Sequence, residues 1–102
     1  MIQQFIYLVR VDDTFKIGRT NHLQERLSNL KVANPNIKDY FAYYCVTDSV
    51  LLEKMLHTKF KDVHVRGEWF ELTLEDLKNL ESFISSKCLY KVNVEDISQL
   101  TY

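Results

Sequence analysis

Tyr7, Arg26, Glu53 and His57 are the side chains of this sequence whose types and spacing could do chemistry. Glu53 and His57 stand four apart in "LLEKMLHTKF", so on a helix they share a face with Phe60 and turn away from Lys54. By itself such a pair reads as a surface ion or hydrogen-bond pair worth a few tenths of a kcal/mol. Arg26, in "LQERL", falls about 60° from Leu23 and about 40° from Leu30 on a helical wheel, at the border of the apolar stripe. A guanidinium there is either solvated or needs an anion or carboxylate partner. Tyr7 is one of six tyrosines and alone reads as a core aromatic whose hydroxyl reaches the surface.

The elements that must carry these residues are legible from periodicity. "FIYLVRV" over 5–11, then "DDT" and "FKIGR", is a hairpin signal, with a loop of two or three residues. Asn21 with Gln24 three residues on, and Leu23, Leu27 and Leu30 at helical spacing, predict a helix over about 22–33 that "ANPN" stops. The aromatic run at 38–46 reads as a third, central strand. Asp48 or Ser49 caps a second helix over about 50–61, with Leu52, Met55, Leu56 and Phe60 buried. "EWFEL" is a short extended segment. Thr73 caps a third helix with Leu77, Leu80, Phe83 and Ile84 on one side. The order β-β-α-β-α-β-α predicts an α+β fold, a small antiparallel sheet of three or so strands flanked by three helices. Residues 1–88 form the domain, and 89–102 a tail that is a packed strand or short helix.

Composition narrows the rest. The chain has 102 residues, enough for one modest core, and 46% hydrophobic content argues against disorder. The two cysteines, Cys45 and Cys88, give no disulfide framework or zinc spacing and read as core residues. No apolar run approaches the ~20 residues of a membrane helix and no signal peptide is visible, so a cytoplasmic protein without membrane contact is expected. Net charge is −1, but residues 1–61 hold nine Lys/Arg against six Asp/Glu, and residues 62–102 four against eight. A polyanion site therefore belongs to the first part.

Taken together, "FIY" at 5–7, "KIGRT" at 16–20, Arg26, "EKMLH" with Glu53 and His57, and "GEWFEL" at 67–72 form an ordered set. The set resembles the GIY-YIG endonuclease superfamily, in particular its phage and large-DNA-virus branch. The resemblance covers residues 5–72. It implies a DNA endonuclease with Tyr7 as general base, Arg26 holding the scissile phosphate, Glu53 binding Mg²⁺ or Mn²⁺, and His57 orienting Glu53 or water. Phe5 stands where the family has glycine, and Lys16 where it has a second tyrosine, so Lys16 is expected to hold phosphate instead. A lone carboxylate suffices for Mg²⁺ when phosphate oxygens complete the shell, so the metal would bind weakly without DNA.

Gly18 is expected to mark a bulge, or to clear space for a nucleic-acid backbone or the neighbouring helix. Arg10, Lys16, Arg19 and Lys31 would extend the positive surface over flanking phosphates. Specificity would require a homodimer, a partner protein, or recognition of DNA structure; a viral source would add the host nucleus as a location. A DNA-binding module without turnover, and a protein-interaction domain favoured by the charge of −1, are the rival readings.

Overall fold

The alternation in "FIYLVRV" resolves into two faces of one strand. Ile6 and Leu8 enter one hydrophobic cluster, Phe5, Tyr7 and Val9 another. The strand is β1 (Gln4–Val11), and both of its faces are covered. The computed structural model describes residues 4–45 and 48–92, with the side chains of residues 44, 45 and 88–92 excepted. The side chains of Cys45 and Cys88, expected in the core, and the tail beyond residue 92 therefore lie outside the described residues.

β1 turns through Asp12 and Asp13 into β2 (Thr14–Thr20), with Val11 opposite Thr14, so the loop has two residues. Asp12 takes φ 54°, a left-handed conformation that Asp tolerates better than most residues. Helix α1 (Leu23–Ala33) follows, then β3 (Asp39–Cys45), α2 (Ser49–Lys59) and a single 3₁₀ turn. Strands β4 (His64–Arg66) and β5 (Trp69–Glu71) form a second hairpin, and α3 (Leu74–Ser85) leads into β6 (Cys88–Val92). The sheet order is β4-β5-β2-β1-β3-β6, with antiparallel neighbours throughout.

The α+β class and the three helices agree with the sequence, whereas the sheet has six strands rather than three or so. The additional strands are short. β4 has three residues, all exposed, and lacks the apolar alternation that would betray a strand.

Helices lie on both faces. Leu23, Leu27 and Leu30 of α1 cover Phe5, Tyr7, Val9 and Ala42. Leu52 and Leu56 of α2, with Leu80 and Ile84 of α3, cover Ile6, Leu8, Phe15, Ile17 and Phe70. Each such aliphatic side chain contributes about 1.5–3 kcal/mol when taken from water. Trp69 and Phe70 face opposite sides, as neighbours in a strand must: Phe70 enters the α2–α3 cluster and Trp69 packs against the α1 cluster.

The capping expectations hold in two of three helices. Asp48 accepts from the amides of Val50 (3.0 Å) and Leu51 (3.4 Å), and Thr73 forms a reciprocal box with Asp76. The start of α1 differs: its cap position is His22, with no side-chain bond, and the Asn21 side-chain oxygen, expected to cap, accepts from the Arg19 guanidinium instead. Met55, expected inside, is 39% exposed, so the buried stripe of α2 is narrower than its apolar composition.

Candidate active site

The site forms where β2 runs past the end of its neighbour. β5 pairs only with residues 14–16 of β2, so the backbone from Ile17 onward faces no strand on that side. Side chains and a loop satisfy it. The amide of Ile17 donates to the Glu68 carbonyl at 2.9 Å. The Ile17 carbonyl lies 2.9 Å from His57 Nε2, and the Arg19 amide donates to the Glu53 carboxylate. Glu53 and His57, one helical turn apart on α2, thus close an open sheet edge. A carbonyl can only accept, so His57 Nε2 is the donor of this bond.

Tyr7 reaches the same edge across the sheet. It is the register partner of Gly18, and a Cβ at position 18 would fall on the Cζ and hydroxyl of the Tyr7 ring. Gly18 therefore clears room for this phenol, which replaces the expectation of a bulge, a nucleic-acid backbone or a helix at that point. Ala42, the partner of Tyr7 on β3, is also small. The residue is only 1% exposed, and burial together with the charges of Glu68 and Glu53 pushes the phenol up to about 12, against a smaller opposing pull from Arg26. At neutral pH Tyr7 is a neutral hydrogen-bond donor.

Glu53 is half-buried, and its carboxyl is raised above the usual range, first by burial and then by Glu68. His57, Arg19 and the Arg19 amide act in the other direction. Tyr7 thus lies within electrostatic reach of both Arg26 and Glu53, groups brought to it from α1 and α2. Arg26 is exposed on α1 and makes no ion pair among the described residues.

The remaining expected residues divide. Lys16 is at the site: its Nζ lies 3.1 Å from Glu68 Oε1 and 5.6 Å from the Trp69 ring centre. Arg19 contributes its backbone, while its guanidinium donates to Ser49 Oγ (2.9 Å) and Asn21 Oδ1 (2.6 Å), fixing the start of α2. Arg10 points to the opposite face and pairs with Asp39 at 3.1 Å, away from Tyr7. Lys31 is exposed in the last turn of α1.

Glu68 is the functional candidate that the residue-by-residue reading missed. It acts on both Tyr7 and Glu53, and it sits in the "GEWFEL" segment, which reads from sequence as a short extended stretch within the motif set. Its signal was present as an acidic residue in a turn between two strands. The position of that turn was not.

Among the described residues no three His, Cys, Asp or Glu side chains converge as a metal cage. The carboxylates of Glu53 and Glu68 are hard oxygen donors, and Glu68 raises the Glu53 carboxyl, an opposition that a divalent cation would relieve. The residues fit Mg²⁺ or Mn²⁺ held largely by water and substrate oxygens. Among the described residues no helix is long and apolar enough to cross a membrane.

The family model that matches this chain is the T5orf172 domain, over residues 4–85. A curated relative, the putative KilA-N domain-containing protein 315L of Invertebrate iridescent virus 6, is 31% identical over 87 residues. The alignment takes in 82% of this chain and 37% of that protein, so the chain spans little more than a third of the relative's length. No solved structure matches. These matches correct the motif reading: the family that fits the sequence is the T5orf172 domain, and the GIY-YIG assignment gives way to it.

Proposed function

The chain belongs to the T5orf172 domain family, and from that premise we propose that it is a metal-dependent DNA endonuclease, hydrolysing phosphodiester bonds at the free edge of β2. The observation that carries this reading is the convergence of a phenol, a guanidinium and a carboxylate, Tyr7, Arg26 and Glu53, from three separate elements. The family match and the viral relative accord with DNA as the polymer.

Hydrolysis needs a water oxygen to attack phosphorus, a group to take its proton, neutralisation of the non-bridging oxygens, and help for the leaving alkoxide. Arg26, exposed beside the phenol, is the group that would neutralise a phosphate. Glu53, with Glu68, would hold the cation. When bound, Mg²⁺ or Mn²⁺ would supply Lewis-acid stabilisation of the phosphate and leaving oxygen. Tyr7 orients the attacking water by hydrogen bond, and it can take the water's proton only as a phenolate, having first lost its own proton to solvent, a loss that burial and the charges of Glu68 and Glu53 oppose. His57, held by the Ile17 carbonyl, keeps the Glu53 helix docked on β2.

One observation favours a second reading. The burial and raised ionisation of Tyr7 suit a DNA-binding domain without turnover equally well in the free state. Plasmid and branched DNA incubated with the wild type and Glu53→Gln, with and without Mg²⁺ or Mn²⁺, separates the two. Metal-dependent cleavage by wild type alone supports the endonuclease. Salt-sensitive binding without cleavage in any metal supports the binding module.

A further inference from the structure

Three cross-strand neighbours continue the site along the sheet. Lys16 on β2 stands opposite Trp69 on β5, and Trp69 opposite Arg66 on β4. Lys16 and Trp69, directly opposed, project from the same face, that of Tyr7, Val9 and α1, and Arg66 pairs with Trp69 across a register irregularity that follows His64. The row spans two inter-strand spacings, ~10 Å. The Lys16 ammonium lies over the indole at 5.6 Å. Arg66 is exposed, next to the left-handed Gly67 turn (φ 54°), and has no hydrogen bond or ion pair among the described residues.

Trp69 is half-buried and packs against the α1 cluster, so part of its side chain remains open to solvent. A cation against an indole, with a second cation on the neighbouring strand, makes a track for a polyanion that carries flat rings. The chain as a whole has net charge −1, so this local arrangement is not a consequence of general basicity.

The geometry points to the Lys16–Trp69–Arg66 row as a binding track for an unpaired nucleic-acid strand flanking the bond at Tyr7, with phosphates on the two cations and a base against the indole. The assignment rests on the DNA reading above and adds where the strand leaves the site. Lys16 exchanges Glu68 for a phosphate as the strand enters, which leaves Glu68 to the cation. Arg66 needs no such exchange.

Trp69 is the only tryptophan in the chain and therefore its own reporter. A labelled single-stranded oligonucleotide, titrated in EDTA, should gain anisotropy and quench Trp69 emission together. Arg66→Gln, at an exposed site, should keep the wild-type Tm and lower the slope of log affinity against log salt by about 0.7, one phosphate contact. Binding that leaves Trp69 emission unchanged, or an Arg66→Gln slope equal to wild type, overturns the track while the DNA reading stands. Wild type that gains no anisotropy with single-stranded or duplex DNA at low salt overturns both.

Discussion

The ring of Tyr7 lies across Gly18, its partner on the next strand, in space that any Cβ at position 18 would occupy. The glycine therefore acts on the site through the phenol. Gly18→Ala should push the ring against α1 and Ala42, at a cost of about 1–3 kcal/mol for overpacking. Gly67→Ala should cost about 1 kcal/mol, since that residue has a left-handed φ and open space around it. Denaturant unfolding of the two variants measures both. Only Gly18→Ala should also abolish cleavage.

Burial and then the charge of Glu68 oppose the charged form of the Glu53 carboxyl. A carboxyl raised above its unfolded value contributes most at acid pH, and that contribution is lost as pH rises through its folded value. At neutral pH Glu53→Gln should accordingly keep or raise the Tm, because the amide oxygen can still accept from the Arg19 amide without the charge. Glu53→Ala should lower it by removing that acceptor. Differential scanning calorimetry of both variants, without metal, checks the sign.

Tyr7 titrates at about 12, above the ordinary 10 of an unfolded chain. Its contribution is complete below pH 10 and is lost as pH rises toward 12, by about 2–3 kcal/mol over those two units. Tyr7→Phe should lack this component. The difference in unfolding free energy between wild type and Tyr7→Phe, followed from pH 9 to 12, should shrink by that amount.

His57 serves the edge of β2 through its bond to the Ile17 carbonyl and packs against Phe70, with ring centres 5.0 Å apart. His57→Phe preserves the ring and leaves the carbonyl without its side-chain donor, which should cost about 1–3 kcal/mol. An unchanged midpoint in urea would show that water replaces the bond without loss.

The parts of this molecule that its sequence discloses are those written in periodicity. Leu23, Leu27 and Leu30 announced α1, and Asp48 and Thr73 announced the starts of α2 and α3, because caps and stripes are local. β4 carries no such pattern, since its three exposed residues are held by β5 alone. Tyr7, Arg26 and Glu53 stand out by type and order, and Arg26 and Glu53 both lie within electrostatic reach of Tyr7. What stayed hidden depends on long-range register. That Gly18 answers to Tyr7 and that Arg10 pairs with Asp39 on the far face follow from which residues face each other across strands, and that Glu68 joins Glu53 follows from a turn and a helix distant in the chain.

The central claim is that Tyr7, Arg26 and Glu53 act as one unit. Single-turnover cleavage in Mg²⁺ by Tyr7→Phe, Arg26→Gln and Glu53→Gln, alone and combined, tests it most directly. Each single change should reduce the rate to nearly the level of the triple variant, as groups that act together do. Wild-type cleavage that survives all three changes, or losses that simply multiply, would contradict a shared site.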